Sequence, residues 1–201
     1  MANEPYELIA APAQVWLAPV GEAFPDINDA PTGNWALLGT SGDQDYGEDG
    51  VVVTHEHTLA YHHFLGSTGP RKATRTREGL RIGLMLHDSA LETLSDGVFN
   101  GNAVVTTAAG GGEPGDKAIG MYQGLEVSEF ALLLRGKSAY GDWNAQYEVP
   151  KVVRDGAPAP VFSKGAVAGY AIEFVAIEDP DAATAPFRFG TLRMMHAAVS
   201  P

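Results

Sequence analysis

The 201-residue sequence contains no cysteine, which excludes disulfide bonds and thiolate metal sites. No apolar run approaches the roughly 18 residues that a membrane-spanning helix requires, so no membrane association is expected. The opening stretch MANEPYELIAAPAQ has no basic region followed by an apolar core, and no signal peptide is expected. These absences predict a protein that is made in the cytosol and stays soluble.

Basic residues are also scarce. The chain has 13 Lys and Arg against 25 Asp and Glu, which gives a formal net charge of −12. Affinity for a phosphate backbone comes from Lys and Arg displacing counterions, so tight nucleic-acid binding is disfavoured.

Glycine and proline are plentiful, at 24 and 13 residues, and they separate segments rich in Val, Thr, Tyr and Phe. This composition predicts an α+β fold that is mostly β, a β-sandwich or half-barrel with one flanking helix. The helix is expected in HDSALETLSDGVF (87–99), capped by Asp88 or Ser89, with Leu91, Leu94 and Val98 on its apolar face. Strands are expected at 15–20, 34–40, 51–64, 71–86, 102–108, 124–136 and 166–179. Segment 138–165 is expected to be mostly loop with one or two short strands, and 186–196 a last strand or an arm.

The clearest pattern is a long β-hairpin. VVVTHEHTLAYHHF (51–64) runs without Gly or Pro, GSTGP (66–70) is a turn, and RKATRTREGLRIGLML (71–86) returns with apolar residues at alternate positions. The hairpin is too long to be covered by one small core.

Four of the six histidines lie in THEHTLAYHH (54–63). On a strand, His55 and His57 share one face with Tyr61 and His63, while Glu56 points away. A zinc enzyme would need a third ligand near His55 and His57, and the strand geometry places none there. We therefore interpret these histidines as residues of a half-exposed strand, with a zinc site as the alternative.

Two charged segments flank this strand. The acidic loop SGDQDYGEDG (41–50) carries Asp43, Asp45, Glu48 and Asp49, and the returning strand carries Lys72 and four arginines. By strict alternation Arg71, Arg75, Arg77 and Arg81 lie on one face. Three interpretations stay open: a solvated face, a contact with the acidic loop of a neighbouring subunit, and a DNA contact.

The remaining motifs do not indicate catalysis. AGGGEPGDK (109–117) lacks the spacing of a phosphate-binding loop, because Asp116 follows Gly115. No nucleophile elbow or Ser/His/Asp set is evident. We predict no enzyme activity, no cofactor, and no catalytic, cofactor-binding or metal residues.

The order of several phrases resembles the tail tube, or major tail, proteins of long-tailed bacteriophages of the siphophage type. In the first half they are APAQVWLAPVGEAFPDI, NWALLG and RIGLMLHDSALETL. In the second half they are LLLRGKSAYGDWNAQYEVPKVV, PAPVFSKGAVAGYAIEFVAIEDP and FGTLRMM. The resemblance covers nearly the whole chain.

The resemblance implies one tail tube domain over 1–201, with an N-terminal arm at about 1–14 and a C-terminal strand or arm at about 186–201. Hexameric rings would stack into a tube around the tape measure protein, between tail terminator and distal tail proteins. DNA would pass through the lumen without specific binding. The expected location is the virion tail, assembled in the bacterial cytoplasm.

Ring stacking would use the two charged segments and the hairpin. The candidate interface residues are Asp43, Asp45, Glu48, Asp49, His55, His57, Gly66, Pro70, Arg71, Lys72, Arg75 and Arg77. The alternatives are a head–tail connector, a tube protein like that of type VI secretion, and a zinc-dependent enzyme using His55 and His57.

Overall fold

The computed structural model of the chain describes residues 9–138 and 143–195. The strands are β1 Ile9–Pro19, β2 Ala36–Leu37, β3 Tyr46–His62, β4 Lys72–Leu86, β5 Val104–Thr107, β6 Asp116–Ile119, β7 Glu129–Ser138, β8 Asn144–Asp155, β9 Tyr170–Ala176 and β10 Thr191–Met194. One α-helix, α1, spans Leu91–Gly97, and 3-10 turns occupy Gly42–Asp45 and Ala185–Phe187. Among these residues no helix is long and apolar enough to cross a bilayer.

Strands make up 47% of the structure, which confirms the predicted α+β, mostly β class. Eight strands form one antiparallel sheet in the order β2-β1-β7-β8-β9-β4-β3, and β10 pairs with β8 beside this path. The β5–β6 hairpin is a separate two-stranded sheet.

The core lies on the concave face of the large sheet. Alternation along β4 places Leu80, Ile82, Leu84 and Leu86 on that face, where all four are buried. They pack with buried residues of β1, β7, β8 and β9 and with two residues of or beside the helix: Val15, Leu17, Leu132, Val149, Phe174, Leu94 and Val98. A smaller cluster on the opposite face of β1 and β7 contains Trp35, stacked near Phe24 with ring centroids 5.2 Å apart.

The sheet curls so that the start of β3 approaches β1, although the strands do not close a barrel. Tyr46 joins these two edges, because its hydroxyl accepts the Val15 N–H at 3.2 Å and donates to the Leu38 carbonyl at 2.7 Å. The predicted half-barrel with a long hairpin and one flanking helix is therefore confirmed.

Several element boundaries differ from the expectation. The segment 138–165 contains a 12-residue strand, β8, where we expected mostly loop with one or two short strands. Its Pro150 lies at an irregularity of the β7–β8 register, between Val149 and Val152, and a bulge spares a proline from donating to the ladder. The loop predicted at 109–117 contributes its last two residues to β6, which pairs with β5.

The ends of the elements shift as well. Strand β1 begins at Ile9, within the predicted arm of residues 1–14, and residues 1–8 and 196–201 lie outside the described residues. Helix α1 spans seven residues instead of 13. The prediction that Asp88 or Ser89 caps the helix was wrong, because Ala90 is the N-cap residue and no side chain caps the helix start. Asp88 lies two residues before the N-cap and accepts the Ala90 N–H at 2.8 Å.

Candidate assembly site

The β3–β4 hairpin extends well beyond the rest of the sheet. Strand β9 pairs with β4 only from Arg81 to Leu86. Among the described strands, β4 residues 72–79 therefore pair with β3 alone. At about 3.3 Å per residue this projection is roughly 26 Å long. We call residues 55–79 the arm. Its side chains on both faces are mostly exposed.

A bulge divides the charges of the arm between its two faces. Thr58 pairs with Arg77 and Leu59 with Arg75, so Thr76 is the extra residue. Since directly paired residues share a face, Arg75 lies opposite to Arg77 and Arg81. The prediction that Arg71, Arg75, Arg77 and Arg81 share one face was wrong, because it assumed uninterrupted alternation.

The concave face of the arm carries the residues that the sequence grouped together. His55, His57 and Tyr61 pair with Leu80, Glu78 and Ala73 and lie on the face that continues from the core. Arg75 joins them and pairs with Glu78 at 2.9 Å. On the other face, Glu56 pairs with Arg81 at 3.1 Å, as its predicted orientation away from the histidines requires.

Arg81 anchors the base of the arm. Its guanidinium lies 2.9 Å from Asp155 and 3.3 Å from Glu173, in addition to Glu56. The hydrogen bonds that Arg81 donates to Asp155 and Glu56 raise the pKa of its guanidinium, which keeps it charged. Arg81 and Arg75 thus both form ion pairs within the chain.

The tip of the arm is apolar and cationic. Tyr61 and Phe64 are 58% and 56% exposed, and Leu65 is fully exposed beside them. Gly66 and Pro70 lie in the connecting turn, and the Arg71 guanidinium lies 5.8 Å from the centre of the Phe64 ring. In the described part of the chain, no carboxylate forms an ion pair with Arg71, Lys72 or Arg77.

The acidic segment lies at the opposite end of β3 from the tip. Asp43 and Asp45 belong to the 3-10 turn, where Asp43 accepts from Gln14 Nε2 and Asp45 from the Ser41 N–H, both at 2.5 Å. Glu48 and Asp49 lie where β3 leaves register with β4, between Tyr46 and Val51. Both are exposed, and no ion pair of either is found within residues 9–138 and 143–195.

A cleft of about 730 Å³ opens beside this segment, where the curled sheet fails to close. Its lining comes from β1, β3, β7 and β8 and from the turn before β3: Pro12, Ala13, Asp43, Tyr46, Gly47, Glu48, Asp49, Gly50, Val51, Val53, Leu134, Gly136, Ala145 and Tyr147. The lining combines apolar side chains with the three carboxylates of Asp43, Glu48 and Asp49. We call this feature the cleft.

The twelve predicted interface residues therefore form two groups. The acids Asp43, Asp45, Glu48 and Asp49 lie at or beside the cleft, and the others lie along the arm. From Asp49 to His62 the strand covers about 40 Å at 3.3 Å per residue. The structure does not bring the two groups together within one chain.

The histidine pair has ordinary strand surroundings. The His55 ring lies 6.5 Å from the Tyr147 ring, and His57 faces Glu78 across the hairpin. Within the described ranges, no group of three or more His, Cys, Asp or Glu side chains is arranged to hold a metal ion.

Two exposed apolar loops were missed from the sequence. Tyr122 is 84% and Phe162 80% exposed, each with apolar neighbours in its own loop. These neighbours are Met121, Leu125 and Val127 in one loop, and Val161 and Val167 in the other. The available signal was a set of apolar residues between glycines with no strand or helix period, as in MYQGLEV and VFSKGAV.

Comparison with known proteins leaves the family open. No protein-family model matches the sequence. No curated protein is significantly similar to it.

Proposed function

We propose that this chain is a tail tube protein of a siphophage-type bacteriophage. Copies assemble into hexameric rings, and the rings stack into a hollow tube around the tape measure protein. DNA passes through the lumen during ejection without specific binding. The role is structural and involves no catalysis, and the protein resides in the virion tail.

The observation that carries this proposal is the arm. A two-stranded hairpin with both faces in water is marginally stable, and a third strand or a packed face is normally required. Among the described residues, β4 positions 72–79 have no third strand beside them, and seven of the eight are exposed. A neighbouring subunit would supply the missing contact, so the arm makes sense as part of an assembly.

The free edge of β3 supports the same proposal. Strand β3 is the last strand of the sheet path, so its outer edge presents unpaired N–H and C=O groups. Stable monomers usually shorten or cover such an edge, whereas an assembly uses it for pairing between chains. The 17-residue length of β3 makes the exposed edge a long one.

The charge of the chain suits a conduit for DNA. A subunit with a formal charge of −12 repels phosphate, so DNA can move past it without being retained. Repulsion by the whole surface favours passage of DNA without specific binding.

Shortening the arm tests the proposal. His57 and Glu78 pair across the hairpin, so an Asn-Gly turn can join them in place of residues 58–77. None of the buried core residues lies in the removed segment, so the body should keep its fold. We expect a monomer in size-exclusion chromatography at concentrations where the full chain forms large assemblies.

A matched control shortens the other exposed hairpin. Thr107 and Asp116 pair at the end of β5–β6, and an Asn-Gly turn can replace residues 108–115. This variant should assemble like the full chain. Normal assembly of the short-arm variant would contradict the proposal. Rings that never stack would instead favour a head–tail connector.

A further inference from the structure

The arm and the cleft have complementary chemistry. The apolar residues Val51, Val53 and Leu134 line the cleft together with the carboxylates of Glu48 and Asp49. The arm ends in the exposed apolar side chains of Tyr61, Phe64 and Leu65. We propose that the arm of one copy docks in the cleft of a second copy, so that subunits associate head to tail.

Charge favours docking of an arm in a cleft over contact between two arms. The arm carries four Lys and Arg and two Glu, a formal net charge of +2 on a chain whose total is −12. The acidic segment carries four carboxylates and no cation between residues 41 and 50. Two arms would repel each other, whereas an arm and a cleft attract. This attraction steers encounter and fixes orientation.

The arm cannot reach the cleft of its own chain. Both features include β3, with Val53 in the cleft and His62 at the end of the strand. A strand is rigid and extended, so its tip remains about 30 Å from Val53 at 3.3 Å per residue. The occupant is therefore a second copy.

Different surfaces on the two partners make a heterologous interface. Such an interface forms a ring if the rotation closes and a filament if it does not. One repeated contact would thus generate a multi-subunit assembly. The inference rests on the proposed self-assembly, and it adds which two surfaces meet.

Cysteine cross-linking tests the docking on a clean background, since the natural chain has no cysteine. The test variant combines Leu65→Cys at the tip with Glu48→Cys at the cleft. A disulfide needs Cα atoms within about 7 Å, so this pair can join only different chains. We expect a ladder of oligomers on a non-reducing gel after mild oxidation.

The control combines Leu65→Cys with Leu125→Cys, a residue that is also fully exposed and does not line the cleft. It should give no ladder under the same conditions. Equal ladders from both variants, or none from the test variant, would overturn the docking. A wild-type chain that stays monomeric at the highest soluble concentration would overturn it as well.

Charge reversal gives an independent readout. One variant carries Arg71→Glu and Lys72→Glu, and the other carries Glu48→Lys and Asp49→Lys. Each alone should associate about 10-fold more slowly than wild type at low salt, since steering of this size is typical of complementary surfaces. A mixture of the two variants should recover association, because each surface again meets its opposite. No recovery would contradict the docking.

Cross-linking and electron microscopy together distinguish the docking proposal from the tube proposal. Cross-links between Leu65→Cys and Glu48→Cys without hollow tubes in electron micrographs would support head-to-tail docking and refute the tube. Hollow tubes without those cross-links would refute the docking and leave the tube proposal intact.

Discussion

Tyr46→Phe removes one hydroxyl at the point where the curled sheet is tied together. That hydroxyl accepts the Val15 N–H and donates to the Leu38 carbonyl, and both of these residues are buried. The ring of phenylalanine fills nearly the same space. The substitution therefore leaves two backbone groups without a partner and changes little else.

The expected cost follows from those two groups. A buried polar group that loses its partner costs about 1–3 kcal/mol. Tyr46 lines the open cleft, so water can reach the site, and we take the lower end, about 2–3 kcal/mol in total. For a chain of this size that loss lowers Tm by about 4–12 °C.

Urea unfolding followed by tryptophan fluorescence measures this difference, and exposed Tyr61→Phe is the matched control. Burial raises the pKa of Tyr46 in the folded chain, while an unfolded tyrosine ionises near pH 10. A raised folded pKa means stability that is complete below about pH 10 and lost as pH rises further. Tyr46→Phe should lack that alkaline loss. Surface substitutions typically change the free energy of unfolding by less than about 0.5 kcal/mol. If Tyr46→Phe and Tyr61→Phe differ by less than this amount, Tyr46 does not hold the two edges of the sheet together.

Three further substitutions test the packing around the helix and β10. Asp88→Ala should lower the free energy of unfolding by about 1–2 kcal/mol, because the carboxylate accepts the N–H groups of Thr40 and Ala90. Burial opposes ionisation of Asp88, but the hydrogen bonds to its carboxylate outweigh burial and lower its pKa. The loss of stability in Asp88→Ala should therefore be present at pH 7 and fade below about pH 4. An equal loss at pH 3 would contradict this explanation. Burial raises the pKa of Asp96, so Asp96→Asn should stabilise the chain by up to about 1 kcal/mol at pH 7 and lose this advantage as pH falls toward 4. Urea unfolding at the two pH values measures the difference, and a destabilised Asp96→Asn chain at pH 7 would contradict the prediction. Gly190→Ala should detach β10, because its Cβ would lie 2.1 Å from the Glu148 carbonyl oxygen; hydrogen exchange that stays slow in β10 would contradict this.

The hairpin and the class of fold could be predicted from local pattern. Alternation of Leu80, Ile82, Leu84 and Leu86 is a local property, and so is the glycine- and proline-rich turn before β4. The structure contains both the strand and the turn, because tertiary packing and local preference favour the same conformation in this segment.

Strand β8 could not be predicted in this way, because its polar residues are satisfied by distant partners. Gln146 and Glu148 are buried, and they look unsuited to a core strand. Arg193 from β10 binds both oxygens of Glu148 at 2.9 and 3.1 Å, and Arg135 from β7 binds Gln146. Burial of polar groups is tolerated when they are hydrogen-bonded, and a sequence window does not contain the partners.

The sequence indicated which charged residues to consider, but it did not indicate how they are arranged in space. The charges were identified, yet the extra residue Thr76 moved Arg75 to the other face. The cleft arises from the curl of the whole sheet, so residues as distant as Pro12 and Tyr147 line it together. Such a feature has no local sequence signal.

The proposed function requires that copies of this chain build a hollow tube. Negative-stain electron microscopy of the purified full chain, concentrated stepwise, shows whether they do. We predict rings with six-fold end views and a central hole, which stack into tubes of uniform diameter as concentration rises. Particles that remain single subunits at every concentration, or solid filaments without a lumen, would contradict the claim.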